Sequence, residues 1–95
     1  MERTRAVFAI SVAAEMSSLQ IQNLRVYERR GLVTPARTAG GTRLYSDEDV
    51  AVLRRIRELL AEGLNLAGVA RVLELEAEVA GLREEVRALN ARRGR

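Results

Sequence analysis

Six apolar residues near the C-terminus, Val72, Leu75, Val79, Leu82, Val86 and Leu89, follow one another at intervals of 3, 4, 3, 4 and 3. Valine takes every a position of this heptad and leucine every d position. A hydrophobic period of roughly 3.5 residues keeps its stripe on a partner helix over many turns, which a globular core does not require. The pattern therefore predicts a coiled coil between two copies of the chain, and β-branched a with leucine at d suits two strands. The competing reading is an amphipathic helix folded back on its own domain. Charge leaves the orientation open, because a parallel pair would set Arg71 against Glu76 and Glu78 against Arg83. Gly81 weakens the helix by about 1 kcal/mol relative to alanine.

Ahead of the repeat, short helical patterns alternate with turn signals. Ser11 is a candidate cap for a helix over Val12 to Met16, and Ser17-Ser18 suggests a turn. A second helix is expected from Ile21 to Arg30, burying Ile21, Leu24 and Tyr27 and stopping at Gly31. Thr34-Pro35 breaks any helix there. Ala36 to Thr38 and Thr42 to Tyr45 flank Ala39-Gly40-Gly41, which reads as a β-hairpin. Ser46-Asp47-Glu48-Asp49 is a helix start, a hydroxyl followed three residues later by an acid. That helix should bury Val50, Leu53, Ile56 and Leu60 and end near Gly63. Asn65 can cap a further helix that buries Leu66, Val69, Val72 and Leu73. The expected fold is mainly α: a winged helix-turn-helix head over residues 6–73, a dimerising coiled-coil helix over 74–91 and a frayed tail over 92–95.

Composition narrows the chemistry. All 16 basic residues are arginines, set against 13 acids for a net charge of +3. With neither cysteine nor histidine, the chain has no disulfide, no thiol redox sensor, no Cys or His nucleophile and no ordinary zinc site. No metal and no cofactor are expected. Glu74, Glu76, Glu78, Glu84 and Glu85 read as the charged surface of the coil rather than a carboxylate site, so no enzyme is expected. Apolar runs are too short to span a membrane, and no long apolar stretch follows the N-terminal arginines as a signal peptide would need. A bacterial, cytoplasmic and nucleoid-associated location is the expectation.

The second helix offers Gln20, Gln22, Asn23, Arg25 and Arg29 along one element. Asn and Gln can pair with adenine and Arg with guanine, although such a polar face is equally often only solvated. Arg37 and Arg43 flank the glycine tip of the hairpin, which could approach a phosphate backbone closely. Tyr27 and Tyr45 could each pack a ring on the head and turn a hydroxyl to a phosphate, or serve only as core.

The run LRVYERRGLVTPARTAGGTRLYSDEDVAVLRRI resembles the MerR family of bacterial regulators over about Phe8 to Leu75. Its order is an L-R-x-Y-E segment, a G-L turn, a proline, a glycine-tipped wing, R-x-Y-S and an acidic helix start. The resemblance implies a winged helix-turn-helix, dimerised through an antiparallel coiled coil, that binds and often distorts inverted-repeat promoter elements in double-stranded DNA. It implies base contacts from Gln20, Gln22 and Asn23. It implies phosphate or groove contacts from Ser11, Arg25, Tyr27, Arg29, Arg37, Thr38, Gly41, Arg43 and Tyr45. Within the family, ISVAAEM, TPARTAGGTRLYS and LNLAGVARVLELE are similar to the heat-shock repressor subgroup, and the glutamine-responsive repressors share an N-x-A-G segment. The subgroup implies a repressor of chaperone genes with DnaK as co-repressor. Three positions depart from the pattern. Val26 stands where many members have a second tyrosine, Gln20 is a poor cap for the recognition helix, and Gln20-Ile21-Gln22 replaces a common His-x-Gln.

Only twenty residues follow Leu75. That is room for the dimer helix and not for the effector domain of many MerR proteins, so the expected input is another protein or the dimer equilibrium. Two other functions fit parts of the sequence: an excisionase-like architectural DNA binder, and a coiled-coil adaptor whose head ignores nucleic acid.

Overall fold

The computed structural model describes residues 2–94. In chain order its elements are β1 (Ala6–Phe8), α1 (Ile10–Ser17), α2 (Ile21–Arg29), β2 (Ala36–Arg37), β3 (Arg43–Ser46), α3 (Asp47–Ala61) and α4 (Leu66–Arg93). Contacts divide the chain into two units, one ending at Leu64 and one beginning at Asn65.

The first unit is organised by the start of α3. The Ser46 hydroxyl accepts the Asp49 N–H at 3.0 Å, and the Asp49 carboxylate accepts the Ser46 N–H at 3.0 Å. This is the reciprocal box expected from Ser-Asp-Glu-Asp, and the three acids in the first turn also suit the helix dipole. Behind that start, α3 buries Val50, Leu53, Ile56 and Leu59. Leu59, not Leu60, completes the stripe; Leu60 is only half-buried.

α1 begins two residues earlier than the serine cap would allow. Its N-cap is Ala9, with no side-chain hydrogen bond, and Ser11 is an exposed residue inside the first turn. At its other end the buried Ser17 hydroxyl donates to the Ala13 carbonyl at 2.8 Å. Ser18 is left-handed (φ 57°), and the Leu19 N–H closes back on the Ala14 carbonyl at 2.9 Å. α1 has no basic residue in its last turn. Arg54 of α3 takes that role, donating Nε and Nη2 to the Met16 carbonyl at 3.1 and 3.0 Å.

α2 follows after a three-residue turn and stops at Arg29. Gly31 holds φ at 74° and the Leu32 N–H reaches the Tyr27 carbonyl at 2.9 Å, the glycine stop that was expected. Leu24 and Tyr27 face the core, with 0% and 5% exposure. Ile21 does not: it is 36% exposed, so the first residue of α2 is outside the core assigned to it.

The sheet is antiparallel in the order β1-β3-β2. The hairpin is present with shorter strands than expected, and its Ala36↔Leu44 and Arg37↔Arg43 pairs set the register. The third strand, β1, pairs Ala6 with Ser46 and Phe8 with Tyr45 around a bulge.

The second unit is a single helix. Asn65 caps α4 by accepting the Gly68 N–H at 2.8 Å. Val69 is buried, while Leu66, Val72 and Leu73 are half-buried rather than buried. α4 runs through residues 73 and 74, where the heptad reading divides head from tail, without a break. It continues to Arg93, past the start of the expected fraying, and ends on Gly94; Arg95, the last residue of that expected tail, lies outside the described residues. At about 1.5 Å per residue the helix is about 42 Å long.

Candidate nucleic-acid interface

The polar face of α2 is set by helical periodicity. Gln22, Arg25 and Arg29 lie three and four residues apart and are all exposed, opposite the buried Leu24 and Tyr27. Gln20, the N-cap, is exposed and forms no side-chain cap, and Asn23 is half-buried. No acid occupies the first turn of α2, so its N-terminal amides and positive dipole end are unopposed.

The wing stands on β2 and β3. At its tip the Thr38 N–H donates to the Thr42 carbonyl at 2.9 Å, and the Gly41 N–H donates to the Thr38 carbonyl at 2.9 Å. Gly41 has φ of 87°, which a side chain would strain, whereas Gly40 takes no positive φ. The Thr38 hydroxyl accepts the Thr42 N–H at 3.1 Å, so one of its acceptor sites is already used inside the loop.

The two wing arginines converge on one acid. Glu28 of α2 accepts Arg43 Nε on Oε1 at 2.5 Å and Arg37 Nη2 on Oε2 at 2.9 Å, and Arg37 Nη1 also donates to the Gly41 carbonyl at 2.9 Å. The hydrogen bond from Arg43, with a smaller contribution from Arg37, holds the Glu28 carboxyl below its ordinary range despite burial that pushes the other way. The Arg43 guanidinium is raised, chiefly by the same hydrogen bond. Glu28 was not among the residues singled out from sequence. The available signal was an acid within the basic run Arg25 to Arg30, followed by a strand pair bearing Arg37 and Arg43.

Of the two roles open to the tyrosines, the structure shows the core one. Tyr45 is fully buried, and its hydroxyl is buried without a hydrogen-bond partner. Burial raises both phenols above their ordinary pKa. In this conformation Tyr45 offers no hydroxyl to a phosphate, and Tyr27, also buried, offers little surface. An orphaned buried hydroxyl costs about 1–3 kcal/mol. Tyr45→Phe is therefore expected to leave stability unchanged or raise it by about 1 kcal/mol, read from the denaturant midpoint; a clear loss would mean that the hydroxyl has a partner in solution.

Along α4 the seam is open. Leu75, Val79, Leu82, Val86 and Leu89 are 43–55% exposed, and Val72 is half-buried. Arg71 pairs with Glu74 at 3.0 Å, and Glu84 with Arg87, within the helix itself. Among the described residues no group of acids could hold a metal ion, and no helix is long and apolar enough to cross a membrane.

A three-helix head whose helix-turn-helix carries amide and basic side chains outward, beside a stranded wing that bears two arginines, defines the winged class of DNA-binding regulators. The model of the MerR HTH family of regulatory proteins matches residues 8–76, and the chain belongs to that family. It is 50% identical over 86 residues to the heat shock protein HspR of Streptomyces coelicolor, covering 90% of this chain and 57% of that protein. It is 36% identical over 91 residues to the transcriptional regulator GlnR of Bacillus anthracis, covering 93% of this chain and 70% of the other. A solved MerR-family regulator from Bacillus cereus superposes with a TM-score of 0.66 at 26% identity, over 90% of this chain and 70% of that one. The chain thus spans little more than half the length of HspR. These relatives are regulators rather than enzymes, in keeping with the expectation from composition.

Proposed function

We propose that the chain is a homodimeric repressor that binds an inverted-repeat operator in double-stranded DNA at heat-shock or chaperone genes. One observation carries the DNA-binding part. Glu28 joins α2 to both wing arginines, so the amide and arginine face of α2 and the wing form one connected surface. On it, Gln20, Gln22 and Asn23 read bases, while Ser11, Arg25, Arg29, Arg37, Thr38, Arg43 and the Gly41 backbone meet phosphates or the groove. Two such heads related by a two-fold axis match an inverted repeat. The open seam of Val72, Leu75, Val79, Leu82, Val86 and Leu89 supplies the dimer contact, antiparallel as the family resemblance implies. The heat-shock part rests on the identity to HspR, and DnaK as co-repressor on the subgroup resemblance. The likeness to GlnR supports a second reading, a regulator of the glutamine-repressor kind in place of a heat-shock repressor.

Arg43→Ala is expected to weaken binding to every duplex about tenfold and to lower the slope of log affinity against log salt by about one, as a lost phosphate contact does. Gln22→Ala should instead relax sequence preference with little change in the salt slope. Genomic footprinting of the tagged protein, with and without DnaK, tests the operator: sites away from chaperone promoters remove the heat-shock reading and leave the DNA-binding one standing.

A further inference from the structure

The two arginines offered to DNA are already engaged in the free protein. On charge alone, Glu28 is a rival of the phosphate, a carboxylate that neutralises part of a basic surface. The geometry points the other way. Glu28 holds Arg43 through Nε, so the Nη1 and Nη2 groups on the outer end of the guanidinium are not spent on it. Arginine carries five donors in a fixed fork, and this pair uses one of them. Arg37 is pinned at both Nη groups, by Glu28 and by the Gly41 carbonyl. An unrestrained arginine gives up rotamer freedom when it meets a phosphate, whereas one already held gives up less. The depressed carboxyl keeps Glu28 charged through neutral pH, so the clamp persists where DNA binding occurs.

We infer that Glu28 is a positioning residue for DNA binding, fixing Arg37 and Arg43 for backbone phosphates and fastening the wing to α2 so that both dock as one body. The inference rests on the wing reading proposed above and deepens it.

The test is a mutant cycle on the full chain. The probes are a duplex selected by the wild-type protein from a random library and an unrelated duplex of equal length. Glu28→Ala raises the formal net charge from +3 to +4, which alone would tighten binding. The expected result is the opposite, a loss of about fivefold or more on both duplexes, because the arginines are no longer pre-set. Glu28→Gln keeps an acceptor oxygen and should lose less. In an Arg37→Ala/Arg43→Ala background, Glu28→Ala should cause no further loss, and the charge gained should if anything tighten binding. A purely structural role would instead weaken binding in every background and track the fall in Tm. In the free protein the Arg43 Nε–H proton should be shifted downfield and slow to exchange, and Glu28→Ala should abolish this. Equal or tighter binding by Glu28→Ala, with Arg43→Ala still weakening it, overturns the inference, as does a loss that persists without the arginines. If removing both arginines changes neither affinity nor salt slope, the wing reading itself fails, and this inference falls with it.

Discussion

Leu82→Glu is expected to turn the proposed dimer into a monomer and to abolish operator binding. Leu82 is a d residue in the middle of the seam and is 55% exposed in the single chain, so a partner helix has much of its surface left to cover. Covering a leucine contributes about 1.5–3 kcal/mol, and the change acts once in each of two chains. The new carboxylate must in addition be desolvated or the seam must part around it, at several kcal/mol per charge. Together these exceed about 4 kcal/mol, which is about a thousandfold in the dimer constant. A monomer reaches one half-site and loses the joint binding of two heads. Sedimentation and a shift assay on the same samples decide the matter. A monomer that still binds tightly would favour the excisionase-like alternative; a variant that stays dimeric would mean that the seam is not the interface.

Leu53→Ala should bring the largest loss of stability. Leu53 is fully buried in α3, whose partners include α1 and β3. Truncating such a residue costs about 2–5 kcal/mol. A small domain has little more than that in total, since whole-domain stabilities are about 5–15 kcal/mol. The expected fall in Tm is about 10 °C or more. Leu60→Ala is the internal control, because Leu60 is only half-buried. Calorimetry that found the two variants equally unstable would contradict the placement of the core stripe.

What could be read ahead of the structure was whatever depends on near neighbours. The Ser46 box, the Asn65 cap and the Gly31 stop each involve residues within five positions of one another, so their chemistry is visible in a short window. The heptad is legible because a period needs no knowledge of its partner. β1 was missed because three residues carry no pattern, and their pairing lies some forty positions away, on β3. The start of α1 was misplaced because Ala9 brings no side chain to signal a cap. Ile21 was assigned to the core on hydrophobicity alone, although the helix turns its first residue outward. For the interface, the exposed amides and arginines were legible as residue types. Glu28 was not, because its role depends on partners nine and fifteen positions on, brought alongside by the wing. The burial of Tyr45 likewise depends on what packs against β3, and no local signal marks that.

The join between β3 and α3 has a mechanical consequence. Ser46 is at once the last residue of the strand, the partner of Ala6 across the sheet and the cap of the helix. No slack residue lies between them, so the root of the wing has no hinge. Compliance is left to the tip, residues 38–42. Under the function proposed above, a reader built this way would not mould itself to a duplex, and the bending energy of the encounter would fall on the DNA. Operators whose base steps yield easily should then be preferred at positions that no side chain touches.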